Sequence, residues 1–215
     1  MSFETFKKRN ARMTEQLAKR KELAISRLQN RVKTKSPQEL ENSIQRVMRG
    51  GGRKMSVGSI KDIIWPYWFS HDPAAIAVGV SQNAYASVSQ EAVFIWMSMS
   101  QTVSVRTGAA PNWFYTVHDP NLEDEANSCA HDLSVQVRDA TSSRNFFGDD
   151  IEISQIGGGE RPTVLPTSQL MLPLAAIECA YTNGHATRVY VPVMTFFGYR
   201  VHLDRIEDLL GTMEE

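Results

Sequence analysis

Apolar residues recur along this chain in two rhythms, and the change between them divides it. From residue 3 to 35 there is no Gly or Pro, and Phe6, Met13, Leu17, Ala24, Leu28 and Val32 return at spacings of seven and four. That spacing lines one face of a helix of about nine turns. Ser36-Pro37-Gln38-Glu39 has the form of a capping box with proline at the first helical position. A second helix is predicted behind it, with Leu40, Ile44, Val47 and Met48 on one face and Gly50 as its C-terminal cap.

After Gly50-Gly51-Gly52-Arg53-Lys54 the period falls to two. Between Ala92 and Arg106, Val93, Ile95, Met97, Met99, Val103 and Val105 share one parity, broken only by Gln101, with Ser98, Ser100, Thr102, Ser104 and Arg106 on the other. This predicts a strand about 15 residues long with one face in a core and most of the other in water. Trp113–Val117 and Leu133–Val137 repeat the pattern at shorter length, and Ile177, Cys179 and Tyr181 share a parity. So do Val189, Val191, Val193, Phe197, Tyr199, Val201 and Leu203, predicting a long final strand whose buried face is that series. Thr182-Asn183-Gly184-His185 lies between these last two strands and predicts a type I′ hairpin, with φ > 0 at Asn183. A short helix is expected to begin near Asp204 and stop at Gly211.

Strands without long intervening helices imply an antiparallel pairing scheme. The expected fold is therefore mainly β: an antiparallel, jelly-roll-like β-sandwich preceded by an N-terminal arm of two helices. Its divisions are a helical arm over residues 1–54 and a β domain with a short C-terminal helix over 55–215, the latter expected to fold by itself.

Charge sharpens that division. Residues 1–54 hold fifteen Lys/Arg and five Asp/Glu, a net of +10, whereas 55–215 hold eight and nineteen, a net of −11. A basic arm of this kind points to an anionic partner, nucleic acid or an acidic protein surface. The contact residues expected are Lys7, Lys8, Arg9, Arg12, Lys19, Arg20, Lys21, Arg27 and Arg31. The arm has few aromatic residues, which favours backbone or surface contact over base readout. A second contact surface is expected at the aromatic cluster Trp65, Tyr67, Trp68 and Phe69, since Trp and Tyr are enriched at interface centres.

Cys129 and Cys179 are too few for a disulfide framework, and no window reaches the roughly 18 apolar residues of a membrane-spanning helix. No secretory signal is expected either, because charge begins at Lys7 with no apolar segment behind it. Three His-Asp pairs, at His71-Asp72, His118-Asp119 and His131-Asp132, are read as loop composition. Cys129, His131 and His118 lack a fourth ligand at a zinc-like spacing. Asp119, Asn121, Glu123 and Glu125 alternate like calcium ligands, but Asp124 and Ala130 stand where an EF-hand needs Gly and Glu. Gly157–Gly159 is not followed by the Lys-Ser/Thr of a phosphate loop. No catalytic residue, metal or cofactor is expected.

The order Asn-Phe-Phe and Asp-Ile, then Gly-Gly-Gly-Glu-Arg-Pro-Thr-Val-Leu-Pro, Thr-Asn, Val-Tyr-Val and Phe-Gly-Tyr-Arg-Val, over 144–203, resembles β-sandwich structural proteins of tailed-phage virions. The resemblance implies a non-enzymatic, multi-copy component of the shell, neck or tail, made in the host cytoplasm and located in the virion. Its partners would be copies of itself and other virion proteins, with nucleic acid as a further partner through residues 1–54. Two other classes stand beside it: a jelly-roll carbohydrate- or ligand-binding module stacking sugar on Trp113 and Tyr115, and a metal-dependent hydrolase using His118, His131 and Asp119.

Overall fold

The computed structural model describes residues 3–48, 64–71, 75–107, 114–118, 132–158 and 161–213, with side chains described for 13–46, 75–105, 132–158, 161–207 and 209–211. Two five-stranded antiparallel sheets face each other. Sheet A runs β1 (Ile64–His71), β10 (Val189–His202), β3 (Ala92–Thr107), β4 (Phe114–His118), with β8 (Thr163–Met171) also paired to β3. Sheet B runs β2 (Ser81–Ser87), β9 (Ala176–Asn183), β5 (Leu133–Asp139), β6 (Arg144–Asn145), with β7 (Ile151–Glu152) also on β5. The pairings nest: β1 with β10, β2 with β9, β3 with β8, β5 with β7. One long hairpin wrapped over itself gives this order, which is the jelly-roll arrangement of a β-sandwich.

The interior between the sheets is built around Trp96. Phe146 and Phe196 meet its ring edge-to-face at centroid distances of 4.9 and 5.3 Å, and its indole N–H donates to the Ser98 carbonyl at 3.0 Å. Such T-shaped contacts suit the ring quadrupoles, and the donated bond removes the cost of burying the indole nitrogen.

A second core lies on the outer face of sheet A. Helix α1 (Phe3–Thr34), helix α2 (Pro37–Met48) and the C-terminal helix α3 (Ile206–Met213) roof it. Ala24, Leu28, Val32, Leu40 and Ile44 from the first two helices pack with Val93, Ile95, Met97, Tyr199 and Val201 from the sheet and with Ile206, Leu209 and Leu210. The expected capping box forms: the Ser36 amide donates to Glu39 Oε2 at 3.0 Å, and the Glu39 amide to Ser36 Oγ at 3.3 Å. The boundary at Gly50–Lys54 lies outside the described residues. The helices before it pack against Val93, Ile95, Met97, Tyr199 and Val201 of sheet A.

That roof overturns the expected one-sided strands. In β3, Phe94 and Trp96 face the sandwich interior while Val93, Ile95 and Met97 face the helices. The register on β10 then jumps from Phe197↔Ser98 to Gly198↔Trp96, leaving Met97 without a partner. This β-bulge exchanges the faces, so Met99 and Val103 beyond it point into the interior. In β10 the interior parity is Tyr190, Pro192, Met194 and Phe196 rather than the expected odd series. Of the odd residues, Tyr199 and Val201 are buried by the helices, and Val189, Val191 and Val193 are half-buried.

The predicted hairpin is also replaced. β9 and β10 belong to different sheets, and positive φ among the described residues occurs only at Ser143, Leu174, Gly79 and Gly148. Asn183 is fully buried, and its side-chain amide donates to the carbonyls of Ile76 (3.1 Å), Ala77 (3.2 Å) and Arg188 (2.9 Å). It ties the crossing between sheets instead of turning a corner. Gly211 lies within α3 and does not end it.

Candidate interaction surface

α1 contains 32 residues, and its side chains are described from Met13 onward. Every residue from Met13 to Leu23 is exposed, and burial begins at Ala24. At 1.5 Å per residue the helix backbone runs about 30 Å from Ala24 to Phe3. Lys21 marks the point of departure, its ammonium 2.6 Å from the Asp204 carboxylate at the foot of α3. That contact holds the Asp204 carboxyl below the usual carboxylate range.

The projecting part keeps the apolar stripe of the rooted part. Met13 and Leu17 are in phase with Ala24, Leu28 and Val32, but they are 56% and 51% exposed while the latter three are buried. The stripe is thus core at one end and open at the other.

Of the expected basic contacts, Lys19, Arg20 and Arg27 are exposed, Lys19 pairing with Glu15 at 2.7 Å along the helix. Lys21 serves the fold through Asp204, and Arg31 is half-buried in the rooted part. Lys7, Lys8, Arg9 and Arg12 belong to α1, with side chains outside the described residues. Trp65, Tyr67, Trp68 and Phe69 lie on β1, at one end of sheet A, paired with Arg200, Gly198, Phe197 and Phe196. Their side chains too fall outside the described residues. The helix and the aromatic strand are thus parts of one subunit but different elements of it. The signal that sequence reasoning missed is the division of the stripe between Leu17 and Ala24.

A polar cluster occupies the outer face of sheet B. Arg138 grips Glu178 with two hydrogen bonds, Nε to Oε2 at 2.6 Å and Nη2 to Oε1 at 2.8 Å. Asn83 and the Tyr85 hydroxyl add donors to Oε1 at 2.8 and 3.1 Å. The Arg138 contact, against the opposing effect of burial and with help from Tyr85, holds the Glu178 carboxyl below its ordinary range. The cluster satisfies itself across three strands.

Cys179 lies under this sheet, and burial pushes its thiol up to about 12. It is a core residue and a poor nucleophile. Among the described residues no three His, Cys, Asp or Glu side chains converge to hold a metal ion. Cys129, Asp119 and His131 lie outside those residues, as do the rest of 119–130 and Trp113. Tyr115 and His118 are on β4, where only their pairing with Arg106 and Val103 is described. Among the described residues no helix is long and apolar enough to cross a membrane. No protein-family model, curated protein sequence or solved structure matches the chain.

Proposed function

We propose that this protein is a non-enzymatic structural component of a virus particle of the tailed-phage kind, which assembles with copies of itself and with other particle proteins through α1. The observation that carries the reading is the open apolar stripe, Met13 and Leu17, on a basic helix rooted in a jelly-roll sandwich. The sandwich provides the body of the subunit, and the projecting helix provides reach. The opposite net charges of 1–54 and 55–215 favour contact between the arm of one subunit and the body of another.

The test is light scattering of the full chain over the micromolar range, beside a Met13→Gln/Leu17→Gln variant. The parent is expected to associate with rising concentration and the variant to remain monomeric with an unchanged melting temperature. A parent that stays monomeric throughout sinks the reading.

Nucleic acid is the competing partner for the same helix. In that case Arg20→Gln would make the log–log salt dependence of duplex binding shallower by about 0.9 for the phosphate contact removed. Association with protein would instead proceed without added nucleic acid.

A further inference from the structure

The roof over sheet A stops short. Beside the first turn of α2, the pairing of β8 with β3 passes from Trp96↔Gln169 directly to Ser98↔Val164, so Leu165–Ser168 leave the sheet opposite the bulge at Met97. Pro166 sits in this departure and has no N–H to give a ladder. The result is an open cleft of about 620 Å³ between α2 and strands β3, β8 and β10. Its lining includes the apolar side chains of Val164, Pro166 and Phe197, the nearly buried Met97 and Tyr199, and Glu41 of α2. Val164 is 62% exposed and leaves apolar surface open at this cleft.

We infer that this cleft is the seat of the projecting α1 segment of a second copy of the chain, with Met13 and Leu17 against Val164, Pro166 and Phe197 and Arg20 toward Glu41. The inference rests on the assembly reading and names the partner surface. Three observations converge on this occupant. The cleft continues the same outer face of sheet A on which the rooted part of α1 already lies, so one helical stripe meets one kind of surface twice.

Charge agrees: Glu39 and Glu41 stand on the first turns of α2, and hydrogen bonds from the Ser36 amide and hydroxyl keep the Glu39 carboxyl below its usual range and ionised. Arg20 is exposed one turn from Leu17. Finally, the helix cannot serve its own cleft. Residues 3–34 form one helix without Gly or Pro, so its free end has no place to fold back. A reciprocal exchange gives a two-fold dimer, and a one-way exchange gives a ring or a growing chain.

The experiment is a disulfide trap in full-length chains carrying Cys129→Ser, leaving only the buried Cys179. Chains with Leu17→Cys are mixed with chains with Val164→Cys and oxidised mildly. The expected result is a 17–164 linked pair, at least about tenfold more abundant than with Leu23→Cys, which is exposed on another side of α1.

In parallel, Arg20→Glu and Glu41→Lys should each weaken association by about tenfold, and the double variant should recover most of it. Equal trapping from positions 17 and 23, no trapping, or no charge-swap recovery overturns the cleft assignment. If the parent still associates and Met13→Gln/Leu17→Gln abolishes this, the assembly reading survives that failure. If the parent never associates, both fall.

Discussion

The side-chain amide of Asn183 donates to the main-chain carbonyl of Ile76 at 3.1 Å, joining the end of β9 to a segment that itself bridges to Tyr190 of β10. With Ala77 and Arg188 also accepting from the same nitrogen, one buried NH₂ group answers three carbonyls. Asn183→Asp replaces that donor with an acceptor. It should cost at least about 3 kcal/mol at neutral pH, because buried carbonyls lose their partners and face a charge. Part of the loss should return in acid as the carboxyl protonates. Asn145→Asp, on the exposed strand β6, is the control; equal losses in chemical denaturation would remove the assigned role.

Gly198 faces the bulge, where an added Cβ would lie 1.9 Å from the Ile95 carbonyl oxygen. No side chain can move aside, since the obstacle is backbone. Gly198→Ala should therefore destabilise the protein by about 2 kcal/mol or more, read from the urea midpoint. An unchanged midpoint would mean that the two strands approach less closely.

Leu28 is fully buried between α1 and sheet A. Leu28→Ala should cost about 2–5 kcal/mol, within the range for buried leucines. Residues 55–215 alone should lack a normal melting transition or aggregate, because Val93, Ile95 and Val201 would lose their cover. A fragment that melts cooperatively near the parent temperature would restore the expected independence of the β domain.

Glu178 gives a pH dependence of known sign. Its carboxyl is depressed in the folded state, chiefly by Arg138, relative to about 4.3 in an unfolded chain. Its contribution is therefore complete above that value and is lost as pH falls through the folded one. Glu178→Gln should lower the melting temperature at pH 7, with a gap from the parent that closes in acid. A gap that stays constant down to pH 2 would rule out the ion pair as its source.

The helices were legible because their signals are local: Ser36 and Glu39 specify a cap within four residues. The length of β3 was legible for the same reason. What sheet A does with its two faces was not. Apolar residues lie on both sides of β3 near Met97, and alternation is blind to a single unpaired residue that exchanges those sides. Asn183-Gly184 carries a turn signal, but the carbonyls that claim the Asn183 amide come from residues 76, 77 and 188 and are joined only by the fold. At the candidate surface, the positive charge was plain. The division between Leu17 and Ala24 was not, because periodicity records a face and says nothing of where its cover ends.

A helix rooted from Ala24 onward and continuous to Phe3 acts as a ruler. Whatever binds at Met13 and Leu17 is held at a set distance and a set azimuth from sheet A, both fixed by residue count. One residue inserted before Ala24 would swing the stripe about 100° and misdirect it, whereas seven would restore its direction to within about 20° and move it outward by about 10 Å. In the proposed assembly the spacing between joined bodies would be written in the length of α1 and rewritten there in steps of two turns.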